Sequence, residues 1–381
     1  MRILEFIKQN CENVEFRALG EVCEIKRGRV ISKDYLSKHQ GSYPVYSSQT
    51  ANDGIFGLID TYDFDGDYVT WTTDGQYAGT VFYRTGKFNI TNVCGLLKNK
   101  IDDLNLKFLY YFLALNAVKH VNKGMGNYKL MSNVIANIKI PLPPMVVQER
   151  IVEVLDSFTS LERSLEREKL AREKQYKYYL NHLITNARNS RILKLGEVGE
   201  VKMCKRILKN QTTKNGEIPF YKIGTFGKNA DAFISKELFE NFKEKYSYPK
   251  KGDILISASG TIGRSVIFDG EPAYFQDSNI VWLSHDETKV INKFLYYFYQ
   301  LNPWKATDGG TISRLYNDNV RNTEIPLPPL DEQERIIRIL DSLNELANGL
   351  SAGIPKEIEL RQKQYEYWRD RLLEFPSKDS K

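Results

Sequence analysis

One unusual segment occurs twice in this chain. Residues 138–151 read IKIPLPPMVVQERI, and residues 323–336 read TEIPLPPLDEQERI. Other segments recur in the same order: LGEV at 19–22 and 195–198, KFLYYF at 107–112 and 293–298, and KQY at 174–176 and 363–365. Repeats that keep their order along the whole chain predict two copies of one structural unit. A length of 381 residues is also too great for one ordinary core.

Each copy has a first part that predicts a globular α+β domain. These parts, residues 1–143 and 190–328, are rich in Gly, Asn, Asp, Tyr and β-branched residues. Short apolar runs between turn residues predict strands, and longer runs predict a helix. The predicted elements are strands at 67–71 and 253–257 and helices at 104–118 and 290–301.

The second part of each copy, residues 144–189 and 329–381, predicts a long helix. Apolar residues recur there at spacings of three and four, with Glu, Arg and Lys between them, and the prolines mark the helix starts. About 40 residues form a rod of roughly 60 Å, which cannot bury its apolar seam alone. We expect two seams to pack on each other: Ile151, Val154, Phe158 and Leu161 on Ile336, Ile339, Leu343 and Leu346. The sequence GLSAGIP at 349–355 predicts a kink or an interruption in the second helix.

Composition limits the class of protein. Hydrophobic residues make up 41% and charged residues 27%, as in soluble globular proteins. No apolar run reaches the length of a membrane span, so we expect a cytoplasmic protein without membrane contact. Four cysteines and four histidines are scattered without a CxxC pair, so we expect free thiols and neither a metal site nor a cofactor. A net charge of +6 permits a polyanionic partner without requiring one.

Three fragments that resemble catalytic or ligand motifs are incomplete. Residues 302–304 (NPW) lack the second proline of the adenine-methyltransferase motif, and a helix ending before Pro303 explains them better. Residues 63–67 (DFDGD) lack the further acidic positions of a calcium loop. Residues 260–263 (GTIG) lack the lysine of a phosphate-binding loop. We therefore predict a chain without its own catalytic centre.

The remaining chemistry favours binding. Residues 72–79 (TTDGQYAG) and 257–264 (SASGTIGR), here called glycine loop 1 and glycine loop 2, follow matching predicted strands. Glycine permits close approach of the backbone, and Gln, Thr and Arg hydrogen-bond base edges or phosphates. Basic residues follow both LGEV segments, and polar residues follow both later glycine clusters. The candidates are Lys26, Arg27, Arg29, Gln76, Tyr77, Tyr128, Lys129, Lys205, Arg206, Thr261, Arg264 and Arg314. Plain hairpin turns and solvated surface charges are the alternatives.

Together these features resemble the DNA-specificity (S) subunit of type I restriction–modification systems. The resemblance covers essentially the whole chain and is most specific at residues 140–151, 325–336 and 253–264 and at the two LGEV segments. It implies an α+β protein with an internal pseudo-twofold duplication. Two globular target-recognition domains would be separated by two long antiparallel, coiled-coil-like helices.

The same resemblance implies the function. Each domain would read one half of a split target in double-stranded DNA. The helices would bind two methyltransferase (modification) subunits, which carry the methyl-transfer chemistry, and endonuclease (restriction) subunits would join them. Glycine loop 1 has DGQY where glycine loop 2 has SGTI, which fits two domains that read different half-sites.

Other functions remain open at this point. The chain could be the specificity subunit of a related methylation or restriction system, or a DNA-modifying enzyme with an unrecognised active site. A scaffold that uses the helices without DNA contact is a third possibility. The enzyme would act on DNA without added subunits, and the scaffold would not bind DNA even with its partners present.

Overall fold

The computed structural model describes residues 3–11, 13–124, 126–305, 314–349 and 352–376. The chain divides into two units: unit 1 comprises Met1–Glu166 and Ile358–Lys381, and unit 2 comprises Arg167–Glu357. Each unit contains one α+β body together with parts of the long helices. The predicted α+β class and the duplication are confirmed by the topology below.

The described part of unit 1 forms three sheets. A four-stranded antiparallel sheet has the order β2-β9-β6-β7, a second has the order β4-β3-β8-β5 with β3 and β8 parallel, and β1 pairs with β10. The strands are β1 (Glu15–Ala18), β2 (Cys23–Arg27), β3 (Gln40–Tyr46), β4 (Ile55–Ile59), β5 (Phe64–Asp65), β6 (Tyr68–Thr72), β7 (Val81–Arg84), β8 (Lys87–Ile90), β9 (Cys94–Asn99) and β10 (Lys139–Leu142). The helices are α1 (Ile3–Asn10), α2 (Leu19–Val22), α3 (Lys33–Lys38), α4 (Leu106–Asn116), α5 (Ser132–Ile135) and α6 (Met145–Thr185), of which α6 continues into unit 2.

Unit 2 repeats this topology. The sheet β12-β18-β15-β16 corresponds to β2-β9-β6-β7, the sheet β14-β13-β17 again contains one parallel pair, and β11 pairs with β19. The strands are β11 (Arg191–Lys194), β12 (Glu200–Lys202), β13 (Ile218–Tyr221), β14 (Phe233–Ile234), β15 (Ile254–Ser257), β16 (Ser265–Ile267), β17 (Tyr274–Phe275), β18 (Ile280–Ser284) and β19 (Glu324–Leu327). The helices are α7 (Leu195–Val198), α8 (Lys236–Lys245), α9 (Asn292–Gln300), α10 (Asn317–Arg321), α11 (Leu330–Asn348) and α12 (Ile354–Leu372), of which α12 continues into unit 1.

The repeated proline-rich segment joins a strand to a long helix in both units. Its IPL residues form β10 and β19, which pair with the strands just before the two LGEV segments. The prolines then separate each strand from α6 or α11, as predicted. The two LGEV segments form the one-turn helices α2 and α7.

A buried glutamine fixes each of these helix starts. Gln148 accepts a hydrogen bond from the amide of Asn105 and donates to the carbonyls of Asp103 and Pro143, each at 2.8 Å. In unit 2 Gln333 makes the same three bonds at 2.9 Å. Both side chains are fully buried, so the Q of the QERI sequence is a structural residue.

The repeated KFLYYF segment is tied to the long helices by an aspartate. The Asp156 carboxylate accepts from Lys107 Nζ at 2.6 Å and from the Tyr111 hydroxyl at 2.7 Å. Asp341 accepts from the equivalent Lys293 and Tyr297 in unit 2. Burial raises the pKa of the Tyr111 hydroxyl, so it remains a protonated donor. These contacts explain why the two segments recur together.

In unit 1 the first part of α6 packs against the last part of α12. Phe158 meets Tyr365 edge-on, with 6.5 Å between ring centroids. Ile151 and Val154 lie in the same core as Leu372. The first turns of α6 therefore lie beside the last turns of α12, and the two segments run antiparallel, as the resemblance implied.

In unit 2 α11 packs in one core with α9 and with the last part of α6. Ile336 and Leu343 share a core with Leu180. The predicted packing of one seam set directly on the other is therefore wrong, because antiparallel helices bring the start of one beside the end of the other. Ile151 and Ile336 are the buried members of the two seam sets. Val154, Phe158, Ile339 and Leu343 are half-buried, and Leu161 and Leu346 are exposed. A straight helix has about 3.6 residues per turn, so apolar residues that repeat every 3.5 residues gradually shift around the helix and do not all face the same core.

Two further predictions concern the helices and the cysteines. The predicted interruption of the second helix is confirmed, because α11 ends at Asn348 and α12 begins at Ile354; Leu350 and Ser351 lie outside the described residues. All four cysteines are free and buried. Among the helices of the described ranges, none combines the length and apolar character that a membrane crossing requires.

Candidate nucleic-acid interface

Glycine loop 1 connects β6 to β7 and is closed by hydrogen bonds to Thr72. The Thr72 hydroxyl donates to the carbonyl of Tyr77 and accepts from the amide of Thr80 at 3.0 Å. The amide of Gly79 donates to the carbonyl of Thr72 at 2.8 Å. The loop therefore keeps its shape without help from the exposed side chains of its tip, Gln76 and Tyr77.

Glycine loop 2 connects β15 to β16 with the same set of bonds. The Ser257 hydroxyl donates to the carbonyl of Thr261 and accepts from the amide of Arg264 at 2.9 Å. The amide of Gly263 donates to the carbonyl of Ser257 at 3.0 Å. The hydroxyl of a serine or threonine thus builds the same loop twice, although the residues at the tip differ.

The glycines of these loops have two different roles. Gly75 has φ +91 and Gly260 has φ +67, and a Cβ on Gly75 would meet nothing within 4 Å. Gly263 has φ +81, and a Cβ there would lie 2.4 Å from Nε1 of Trp304. The first glycine of each loop therefore provides a left-handed turn near the exposed tip. The close backbone approach predicted for the loops occurs at the last glycine, inside the protein.

A second segment lies against each glycine loop. In unit 1 the amide of Gly75 donates to the carbonyl of Tyr128 at 3.0 Å, and Asp74 and Lys129 form an isolated β-bridge. In unit 2 the corresponding bridge joins Ser259 and Arg314. The structure thus brings together the two groups of candidates that sequence reasoning had only placed at matching positions. Ser313 and Gly309–Gly310 lie outside the described residues.

A turn between two strands completes the site in unit 1. The amide of Thr73 donates to the carbonyl of Val93 at 3.1 Å. Arg27 joins the turn to the loop, because its Nε donates to the carbonyl of Asn92 at 3.0 Å and its Nη2 to the Thr73 hydroxyl at 3.1 Å. Arg27 also lies 3.9 Å from the Asp74 carboxylate.

The corresponding turn of unit 2 is held by two arginines. The amide of Ala258 donates to the carbonyl of Asn279 at 2.7 Å. Arg206 Nε donates to the Asp277 carboxylate at 2.8 Å, and Arg314 Nη2 to the carbonyl of Ser278 at 3.2 Å. We call the three segments of each unit its loop edge: residues 72–79, 91–93 and 127–130 in unit 1, and residues 257–264, 276–279 and 314–316 in unit 2.

The loop edge of unit 2 includes a polar groove of about 470 Å³. Its lining includes Arg206, Lys209, Lys222, Gln276 and Asn279. Sequence reasoning missed the turn residues 91–93 and 276–279, because turn-forming Asn, Asp and Ser carry no periodic signal and these two turns differ in sequence. Sequence reasoning also missed the exposed Tyr316, whose ring lies beside Arg314, because a single tyrosine in a loop carries no periodic signal either.

Not every predicted basic residue lies at a loop edge. Successive side chains of a strand point to opposite faces, so Lys26 points away from the face of Arg27 and pairs with Glu24 at 3.1 Å. Lys205 lies over the ring of Tyr246, 5.1 Å from its centroid. Arg29, by contrast, does adjoin the loop edge, because it forms an isolated β-bridge with Thr91. Its side chain pairs with Asp63 at 2.9 Å, and this hydrogen bond raises the pKa of Arg29.

These partners do not prevent binding of a polyanion. Ion pairs exposed to water contribute about 0–1 kcal/mol. A phosphate can therefore replace the carboxylate beside Arg29 or Arg206 at little cost. The loop edges thus combine exposed amide, hydroxyl and aromatic groups with arginines that can turn outward, a composition that fits DNA.

Comparisons with known proteins place the chain in a family. The family described as "Type I restriction modification DNA specificity domain" matches residues 11–172 and again residues 188–360. The two matches correspond to the two copies of the repeat. The chain therefore belongs to the family of type I restriction–modification specificity proteins.

Individual relatives agree along nearly the full length. A putative type I restriction enzyme specificity subunit from Haemophilus influenzae is 46% identical over 375 residues, covering 95% of this chain and 96% of the relative. A putative type I specificity subunit from Mycoplasma pneumoniae is 34% identical over 368 residues, covering 94% and 96%. The role that these names describe is recognition rather than catalysis.

Solved structures share the fold at low identity. The type I restriction–modification S subunit from M. genitalium matches with a TM-score of 0.57 and 15% identity, over 96% of this chain and 97% of that one. A chain from a study of complex assembly in a type I system matches with a TM-score of 0.63 and 16% identity, over 95% and 98%. The fold class predicted from the sequence is confirmed by these matches.

Proposed function

We propose that this chain gives a type I restriction–modification complex its DNA sequence specificity, with each unit reading one half of a split target. One observation supports this most strongly. The same loop edge is built twice on the same bonds, but its exposed tips carry different side chains, Gln76 and Tyr77 in one and Thr261 in the other. A shared scaffold with different tips is what two readers of different sequences require.

In this proposal one set of side chains positions the chain on the DNA backbone, and another set reads the base sequence. Arginine side chains at the edges, such as Arg27 and Arg206, would hold phosphates and set the register of the chain on DNA. Amide and hydroxyl groups at the tips would read base edges; glutamine, for example, pairs with N6 and N7 of adenine in the major groove. Lys129 and Arg314, which bridge to the glycine loops, would contact the backbone beside the bases read.

Residues 1–143 and 190–328 are in this proposal the target-recognition domains, and residues 144–189 and 329–381 the helical conserved regions. The helices would bind two methyltransferase subunits, and endonuclease subunits would complete the complex. Tyr178 and Tyr367 are equivalent in the repeat and are both more than half exposed. Tyr178 stacks on His182 with 5.6 Å between centroids, and Arg371 lies 4.5 Å from the centroid of Tyr367. Exposed aromatics supported in this way are typical anchors of a protein interface.

The proposal is tested with purified components. The chain alone, its methyltransferase partner alone, and the two together are incubated with plasmid DNA and a labelled methyl donor. We expect methyl transfer only from the combination. Methylation or cleavage by the chain alone would favour a DNA-modifying enzyme, and failure of the combined complex to bind DNA would favour a scaffold.

A further inference from the structure

A buried arginine holds the loop between β3 and β4, residues 47–54. Arg84, at the end of β7, is 3% exposed. Its guanidinium lies 3.7 Å from the ring centroid of Tyr46 and 4.2 Å from that of Phe82. Nη1 donates to the Asp53 carboxylate at 2.6 Å, and Nη2 to the Asp53 carbonyl at 2.7 Å. A buried guanidinium is costly unless it is paired, so its position and the conformation of the loop depend on each other.

Three successive residues of the β3–β4 loop adopt a left-handed backbone conformation, and two of them are not glycine. Asn52 has φ 51, Asp53 has φ 53 and Gly54 has φ 76, all in the left-handed region. Such strain persists where the surroundings determine the backbone, and it concentrates at functional sites. Here the surroundings are Arg84 and the bond from the Ser47 amide to the Gly54 carbonyl at 3.1 Å.

The β3–β4 loop starts at the loop edge of unit 1. The carbonyl of Tyr46, the last residue of β3, accepts from the amide of Thr91 at 2.9 Å. Thr91 begins the turn whose Val93 carbonyl accepts from Thr73 in glycine loop 1. One short series of backbone hydrogen bonds therefore leads from the β3–β4 loop to the glycine loop.

Unit 2 has a counterpart in residues 222–227, which follow β13. Arg264 Nη1 donates to the Phe226 carbonyl at 2.9 Å. The amide of Ile223 donates to the Gln276 side chain at 3.0 Å, within the turn of the loop edge. Ile223 Cγ1 lies 3.7 Å from where a Cβ on Gly260 would stand, so this loop touches glycine loop 2 directly.

We propose that the β3–β4 loop and residues 222–227 are additional specificity-determining segments, one in each unit, and that Arg84 and Arg264 are the residues that position them. This proposal rests on the proposed function above. The two segments read SSQTANDG and KIGTFG, so they differ in sequence and contain Ser, Gln, Asn, Lys and Thr, the side chains that read bases. A group that reads a base must be held to within a fraction of an ångström, and an arginine bound to the loop backbone provides that support.

The test uses the chain assembled with its methyltransferase. The target is first mapped with the wild-type complex, and duplexes are then made that each carry one altered base pair in one half-site. The ratio of initial methylation rates on the matched and altered duplexes gives the discrimination at each position. One mismatched base pair is expected to reduce the rate by about 5- to 150-fold. Asp53→Ala removes the partner of Arg84 without opening the core, because the Asp53 side chain is 67% exposed.

We expect Asp53→Ala to reduce discrimination about tenfold or more at positions of one half-site, with no change at the other. Arg84→Lys should act on the same half-site, because an ammonium cannot reproduce the two-pronged contact. Arg264→Lys should act on the opposite half-site. This reciprocal pattern would not arise from general destabilisation.

Asp34→Ala is the matched control. The Asp34 side chain is 71% exposed and pairs at 2.8 Å with Lys38 of the same helix, so discrimination should not change. Wild-type discrimination in both Asp53→Ala and Arg84→Lys would overturn the inference, as would an equal loss at both half-sites. A wild-type complex that methylates no split site would instead refute the proposed function.

Discussion

Replacement of Gln148 by leucine tests whether the repeated QERI sequence is a structural device. The side chain is fully buried and makes three hydrogen bonds of 2.8 Å, one from the Asn105 amide and two to the carbonyls of Asp103 and Pro143. Leucine has a similar volume but leaves these three backbone groups without a partner. Each lost bond contributes about 1 kcal/mol, and a buried orphan group costs about 1–3 kcal/mol. We expect Gln148→Leu to destabilise unit 1 by about 3 kcal/mol or more.

The assay is calorimetry combined with amide hydrogen exchange. For a unit of about 190 residues, about 1 kcal/mol shifts the melting temperature by roughly 2–4 °C, so the expected fall is roughly 6–12 °C. Exchange should accelerate at Asn105 and not at Ile291, the equivalent amide of unit 2. The exposed Gln364→Leu is the control and should change stability by less than about 0.5 kcal/mol. Undiminished protection of Asn105 in a variant of wild-type stability would refute the reasoning.

Three other predictions concern the DNA, the core and the partner subunits. Arg264→Ala should weaken DNA binding by the assembled complex by about 1–3 kcal/mol, measured by fluorescence anisotropy; unchanged affinity would remove Arg264 from the interface. Phe158→Asp places a charge against Tyr365 in unit 1, so we expect a loss of several kcal/mol in urea unfolding, whereas a stable variant would show that this contact is unimportant. Tyr178→Ala combined with Tyr367→Ala should leave folding intact but reduce methyltransferase assembly in sedimentation experiments; normal assembly would place the interface elsewhere.

The elements that sequence reasoning identified are those with local signals. Apolar spacing predicted α4, α6 and α9, and turn residues around short apolar runs predicted β6 and β15. The Gly–Pro sequence at 349–355 predicted the gap between α11 and α12. These signals depend on residues close together in the chain, so they can be recognised without knowledge of the tertiary structure.

Other features depend on contacts that the local sequence does not determine. Two helices with one seam each have several possible pairings, and only the structure shows that Phe158 meets Tyr365. The candidate DNA-contacting residues were found by residue type and repetition, but Lys26 points away from the loop edge because its strand neighbour Arg27 points toward it. Arg84 gave no signal at all, since an arginine at a strand end is normally a surface residue.

The most direct measurement maps N6-methyladenine in the DNA of cells that express this chain with its methyltransferase. The account predicts one split motif, two fixed half-sites with unspecified bases between them, and no methylation when the chain is omitted. A continuous motif, or the same methylation without the chain, would contradict the claim that its two units each read half of a DNA target.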